Sequence, residues 1–396
     1  MVDGRSSLAR LLSPTPLDRF FSTYWERVPL HNPRPGKGFG ALFRLEDVDH
    51  LLSLPGLVGS DHFRLLERDA PGDVLPSEGD GGTLSLARIY AAFERGATIN
   101  VLGVHRFWPR VGALCRDLEE TLHHRVYCNL FFTPATAHPL HAHYDDQDVL
   151  ILQLAGSKTW RIDDEPFPLP LRGDFADVPL GDDPTEIVLE AGDVLYLPRG
   201  FVHEPEVRGS ASLHLTVGIT PHRWVDLLSS AVISKAQREV ALRRALPPGA
   251  LFDPARRREL EEGFAELVAE CLGDLSASDA VSYLAAGSLT EMHPLPVAHF
   301  DQLAKRDGTT AQTRVARRPG MLCRVESTNG RVAIQFPGNR VYGPRSIAPA
   351  LEYIAGTNRD FAVGDLPGLS SGSQITLVRQ LVLEGLLRYV GEEREP

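Results

Sequence analysis

The chain has 396 residues, 43% hydrophobic and 23% charged, the make-up of a soluble globular protein with room for two or three domains. Its formal net charge of -11 excludes a surface built throughout for nucleic acid. Four cysteines (Cys115, Cys128, Cys271, Cys323) lack zinc-ribbon or redox spacing, residues 1–10 lack a signal-peptide apolar stretch, and no window approaches the ~18 apolar residues of a membrane span, so a cytoplasmic setting without membrane attachment is expected.

Phe20, Phe21, Tyr24 and Trp25 recur at helical spacing and predict an amphipathic helix docked on the core. Residues 69–82, rich in Asp, Gly, Glu and Pro, read as an exposed loop. Residues 84–93 and 110–123 read as helices, the second with Leu114, Leu118 and Leu122 on one face. From Val126 the pattern becomes short strands: 126–132, 149–154, a turn through Ala155, Gly156, Ser157 and Lys158, then 159–162, 186–189, 194–197 and 213–219. Strands at this density with Gly, Pro and Asp turns predict an antiparallel barrel or double-sheet jelly roll. Helices are expected over 224–240 and 255–275, the latter with Leu260, Phe264, Leu267 and Cys271 on one face; dimerisation and packing within the chain explain them equally. Beyond Pro294, a strand over 331–336 and helices over 346–355 and 375–387, the last presenting Leu377, Val378, Leu381 and Val382, resemble a winged-helix domain. Residues 301–345 hold nine Lys or Arg against three Asp or Glu. Such a run is ordinarily a solvated face; contact with RNA or a ribosomal surface is the alternative.

His143-Tyr144-Asp145 sets an imidazole and a carboxylate two residues apart, which a strand turns to the same side. His203, just past the strand over 194–197, supplies a third ligand. Two histidines and one carboxylate occupy one face of an octahedral ion and leave three positions open, the pattern of a non-haem Fe(II) oxygenase; a 2-oxo acid takes two of them and dioxygen the third. A structural zinc site would close with four ligands, and no cysteine is an obvious fourth. His138 and His141 compete for the first position, His141 with the same spacing to His143; His143 is preferred because it pairs with Asp145 in the required mix of ligand types. A 2-oxoglutarate site also needs a cation. Lys158, in the turn after the apolar strand, is placed to reach back into the barrel, Asn129 lies on the strand before the ligand strand, and Thr216 offers a hydroxyl from the late strand. No catalytic residue is assigned beyond the metal ligands.

Three segments carry a family resemblance: Asn129-Leu-Phe-Phe-Thr-Pro; the run from His143-Tyr-Asp to Gly156-Ser-Lys-Thr-Trp160; and Gly192-Asp-Val-Leu-Tyr-Leu-Pro-Arg-Gly-Phe-Val-His203, followed by His214-Leu-Thr-Val. The chain resembles the ribosomal-oxygenase branch of the Jumonji-C proteins, whose members hydroxylate ribosomal proteins; Tyr24-Trp25-Glu26 looks like that family's entry helix. The resemblance implies Fe(II) on His143, Asp145 and His203, 2-oxoglutarate as co-substrate with its distal carboxylate on Lys158, a pocket asparagine at Asn129, and dioxygen consumed. It implies an α+β chain with N-terminal helices, a double-stranded β-helix (jelly-roll or cupin) core within 1–222, a helical dimerisation region at 223–293 and a winged-helix domain at 294–396. A protein substrate, ribosomal by resemblance, and a homodimer are expected, with nucleic acid disfavoured. Phe131 stands where some relatives have a tyrosine, and Gly218 where some have a serine, so two hydroxyls near the co-substrate are missing. The approach Ala137-His138-Pro139-Leu140-His141 also differs from the glycine-rich one in many relatives. The same chemistry on a small molecule or biosynthetic peptide, and a metal-binding adaptor without turnover, are the competing functions.

Overall fold

Two antiparallel sheets face each other in the N-terminal half of the chain. The computed structural model describes residues 6–34, 36–67, 85–164, 166–173, 176–294, 297–328 and 330–391; the expected loop over 69–82 lies outside them. The strands are β1 Leu30–Asn32, β2 Phe63–Leu66, β3 Thr98–Val101, β4 Arg125–Thr133, β5 His143–Tyr144, β6 Asp148–Ala155, β7 Lys158–Ile162, β8 Ala176–Asp177, β9 Thr185–Leu189, β10 Val194–Leu197, β11 His203–Glu206 and β12 Ser212–Thr220. One sheet runs β1-β10-β6-β12-β4-β3-β2, the other β8-β5-β11-β7-β9. This is the jelly-roll, or cupin, arrangement.

Alternation along β4 and β12 decides what faces the interior. Val126, Cys128 and Leu130, with Leu213, Leu215, Val217 and Ile219, join an outer core that includes Leu8, Phe20, Phe63, Val111 and Leu118. Burying each such side chain stabilises the fold by about 1.5–3 kcal/mol. The intervening residues, Tyr127, Asn129, Phe131 and Thr133, lie opposite Gly218, Thr216, His214 and Ser212 and turn to the other face, between the sheets. Val149, Ile151, Trp160, Ile162, Leu189, Leu195, Leu197 and Phe201 form a second apolar cluster. Covered on both faces, β6 is buried from Asp148 to Gln153, which is why it reads as a nearly continuous apolar run.

The chain passes between the sheets at Gly156 and Ser157. Gly156 has φ +65°, and a Cβ there would lie 1.9 Å from the Ala211 carbonyl oxygen, so only glycine makes the crossing. Lys158 is therefore not in the turn, as the sequence predicts, but opens β7 opposite Leu189, already within the ladder.

The aromatic run near the N-terminus is not one helix. Leu17–Arg19 is a single α-turn that widens into a π-helix over Phe20–Tyr24, with Phe20 buried. Helices follow at Leu86–Glu94 and Pro109–Leu122, the latter with Leu118 buried and with Leu114 and Leu122 packed at its margin.

The chain divides into compact units at 1–221 and 222–396. In the second, Trp224–Ala236 stops four residues short of its expected end, and the chain turns into a 3-10 segment at Ala241–Arg243. Pro254–Cys271 is capped by the Asp253 carboxylate; on its expected apolar face Phe264 is 66% exposed, while Leu260 and Leu267 are half-buried. Ala277–Glu291 is capped by Ser276. Beyond it, β13 Arg314–Arg317, β14 Arg324–Thr328, β15 Arg331–Phe336, β16 Asn339–Pro344, β17 Phe361–Ala362 and β18 Leu387–Tyr389 form two three-stranded sheets, β17-β13-β18 and β14-β15-β16. Helices Ala348–Gly356 and Ser371–Leu383 pack on them, burying Leu377, Val378, Leu381 and Val382. No described helix is long and apolar enough to cross a membrane.

Candidate metal centre

His143 on β5 pairs with His203 on β11, so two neighbouring strands set both imidazoles on the interior face, 4.4 Å apart between ring centroids. Asp145 follows β5, and its carbonyl accepts a 2.9 Å hydrogen bond from the Gly200 amide, joining the two ligand-bearing segments. Gly200 has φ +87°, and a Cβ there would lie 1.9 Å from the Phe167 carbonyl oxygen. One ligand atom from each of His143, Asp145 and His203 lies within 4.8 Å of the others.

The tautomers follow from the backbone. His143 Nδ1 donates to the His141 carbonyl at 2.9 Å, and His203 Nδ1 donates to the Phe201 carbonyl at 3.0 Å. Both Nε2 lone pairs are left for a metal, and His203 Nε2 lies 3.8 Å from Asp145 Oδ2. Burial, then the neighbouring His143, push the His203 imidazole down to about 4, so it is neutral at pH 7, as a ligand must be. His141 serves through its carbonyl, and neither it nor His138 joins the ligand cluster. The donor set, two neutral imidazoles and a carboxylate on one side, fits Fe(II) in a facial triad.

The interior also fits an anionic co-substrate. Lys158 is 4% exposed; its Nζ donates to the Thr133 hydroxyl at 3.2 Å, and no carboxylate pairs with it among the described residues. Burial pushes its ammonium down to about 7. Buried charges are ordinarily paired, so an ammonium that meets only the Thr133 hydroxyl and, at 5.9 Å, the Trp160 ring could hold an anion. Beside it, His214 stacks on Phe131, ring centroids 5.1 Å apart, and meets the edge of Trp160. His214 Nδ1, Trp160 Nε1 and Gln153 Oε1 are buried without hydrogen-bond partners. Asn129 and Thr216 face each other across β4 and β12; Asn129 Oδ1 accepts from the Gly103 amide at 3.0 Å. Thr133, His214 and Trp160 escape a sequence reading centred on the ligands, although counting by twos from Asn129 leads through Phe131 to Thr133.

The remaining motif residues are structural. Arg199 bonds Asp148 at 2.8 Å and Glu26 at 2.6 Å, while Tyr196 donates to Asp148 at 2.9 Å and accepts from the Glu26 amide at 3.0 Å. This network ties Glu26 to β6 and β10, the strands that adjoin the ligand strands β5 and β11 in sequence.

Residues 102–227 match the JmjC domain family. The chain carries a JmjC domain. It is 28% identical to ribosomal oxygenase 1 of Rattus norvegicus over 95% of this chain and 71% of that protein. It is also 28% identical to the bifunctional lysine-specific demethylase and histidyl-hydroxylase NO66 of Aedes aegypti, over 62% of this chain but only 40% of that protein. The structure of YcfD, a ribosomal oxygenase from Escherichia coli in complex with cobalt and 2-oxoglutarate, superposes with a TM-score of 0.55 at 20% identity, covering 96% of this chain and 99% of that one. The metal triad and Lys158 all fall inside the JmjC domain.

Proposed function

We propose that the chain is an Fe(II)- and 2-oxoglutarate-dependent protein hydroxylase acting on a side chain of a ribosomal protein. One observation carries the reading: a single barrel interior holds a facial set of ligand atoms within 4.8 Å of one another and a buried ammonium without a carboxylate. His143, Asp145 and His203 would hold the iron. Lys158, backed by the Thr133 hydroxyl, would hold the distal carboxylate of 2-oxoglutarate, with Asn129 and Thr216 on the adjoining walls. Iron held there supplies the dioxygen chemistry that couples decarboxylation of 2-oxoglutarate, to succinate and carbon dioxide, with insertion of an oxygen atom into a C–H bond. The chain's own work is positional. The Nδ1–H bonds to the carbonyls of residues 141 and 201 fix both rings, and Val149, Ile151, Leu195 and Leu197 keep the interior dry. The names of the relatives support a ribosomal substrate.

Incubating the iron-loaded protein with 2-oxoglutarate and ribosomal proteins from a strain lacking this gene tests the reading. Succinate release and a mass gain of one oxygen on a ribosomal protein are expected. Absence of succinate, with or without those proteins, would sink it.

The finer organisation is part of the same proposal. Residues 223–293 are read as a dimerisation region of a cytoplasmic homodimer, supported by Trp224, Leu228, Phe252 and Phe264, which expose large apolar side chains. Residues 294–396 are read as a winged-helix domain. Light scattering on the full chain checks the first point: a dimer that Phe264→Glu weakens is expected, and a monomeric wild type counts against it.

A further inference from the structure

Tyr127 faces the barrel interior from β4, directly opposite Gly218 on β12. A Cβ on Gly218 would lie 2.1 Å from Tyr127 Cζ and 2.4 Å from its hydroxyl oxygen. The phenol ring thus fills the space that any side chain at 218 would take, and the two positions are coupled. The ring's hydroxyl donates to Gln147 Oε1, and Gln147 lies two residues beyond the ligand Asp145. The space left at Gly218 is therefore filled from the facing strand, by the Tyr127 phenol.

We propose that the Tyr127 hydroxyl and the Gln147 amide, joined over Gly218, are the wall that receives the side chain to be oxidised, and that they select one carrying both a hydrogen-bond donor and an acceptor. The assignment rests on the oxygenase reading above. Two arguments support it. Tyr127 stands six residues from Thr133, the partner of Lys158, on one extended strand, about 20 Å at ~3.3 Å per residue. A five-carbon diacid anchored on Lys158 does not span that distance, so the hydroxyl serves the other ligand of the site. Hydrogen-bonding capacity also remains: with the phenol donating to Oε1, its oxygen still accepts, and Gln147 Nε2 still donates. An aliphatic side chain against this wall would leave both groups unpaired, the situation in which polar sites discriminate most strongly.

The test uses the full chain. With cobalt in place of iron, calorimetry of 2-oxoglutarate binding to Tyr127→Phe is expected to give a dissociation constant within about twofold of wild type, since no bond to the co-substrate is removed. With iron, the N-acetyl amides of asparagine, histidine and leucine serve as probes of succinate release. Wild type is expected to favour the two polar amides over leucine by about tenfold in kcat/KM, and Tyr127→Phe and Gln147→Leu each to erase that preference. Melting temperatures check the coupling: Gly218→Ser destabilises the wild type and is tolerated in Tyr127→Gly. A tenfold loss of 2-oxoglutarate affinity in Tyr127→Phe overturns the proposal, because the hydroxyl then serves the co-substrate. A wild type that binds 2-oxoglutarate without polar preference overturns this assignment alone, whereas one that binds none overturns the oxygenase reading and this assignment with it.

Discussion

The Lys158 ammonium and the Thr133 hydroxyl meet 3.2 Å apart inside the barrel, and that hydroxyl is the lysine's one hydrogen-bond partner among the described residues. A buried cation so placed costs stability until an anion arrives. Lys158→Met should therefore separate two properties. Affinity for 2-oxoglutarate should fall by at least about 30-fold, the low end for removing one partner of a buried charge pair. The melting temperature of the ligand-free protein should rise. Titration calorimetry and scanning calorimetry read the two effects, and an unchanged affinity would remove Lys158 from the co-substrate site.

The same lysine sets a pH dependence. Burial lowers its ammonium from 10.5 to about 7. Between those values the unfolded chain binds more protons than the folded one, so the folded state gains stability as pH rises. Lys158's contribution is fully present above 10.5 and is lost as pH falls through about 7, with a slope of at most about 1.4 kcal/mol per pH unit. Co-substrate binding runs the other way. A carboxylate prefers the ammonium, so affinity should fall by up to about tenfold per unit above pH 7, and Lys158→Arg should flatten the profile. Binding isotherms from pH 6 to 9 check this.

Legibility in the sequence followed how local each signal was. His143 and Asp145 are two residues apart, and His203 ends a Gly/Pro-punctuated segment, so each ligand is legible locally, although it is the β5–β11 pairing of His143 with His203 that brings the triad together. The register of β4 against β12 is a long-range property. It decides that Tyr127 faces Gly218, and no local pattern announces it. The sequence sets Lys158 in a turn because Gly156 and Ser157 look like a hairpin, whereas they carry the chain from one sheet to the other and put Lys158 in the ladder. Ala277–Glu291 leaves little trace in the sequence because its Ala- and Ser-rich stretch has no strong apolar stripe, and its Ser276 cap is a weak mark without one. For Phe20–Tyr24, helical spacing was right about the buried face but blind to the π-turn.

Gly200 gives a test of how the site is held. Its φ of +87° and the 1.9 Å approach of a Cβ to the Phe167 carbonyl make Gly200→Ala strained in both respects. The expected cost is about 1–3 kcal/mol of stability. Because the Gly200 amide holds the Asp145 carbonyl, cobalt affinity should drop as well. Denaturant titration and metal titration of the variant measure both, and normal metal affinity in a destabilised protein would show that this bond does not position Asp145.

Metal binding itself should appear as stability. A ligand that binds only the folded state at one hundred times its dissociation constant adds about 2.7 kcal/mol. Cobalt should therefore raise the melting temperature of the wild type, and a chelator should reverse the rise. His143→Ala, Asp145→Ala and His203→Ala should each lose the response, since every one removes a ligand atom from the 4.8 Å cluster. His141→Ala is the discriminating control. Position 141 contributes its carbonyl to His143 Nδ1, and alanine keeps that carbonyl, so the cobalt-dependent rise should survive. If His141→Ala abolished the response and His143→Ala did not, the ligand would have to be reassigned to the other member of the pair, and the hydrogen bond that fixes the His143 tautomer would lose its role.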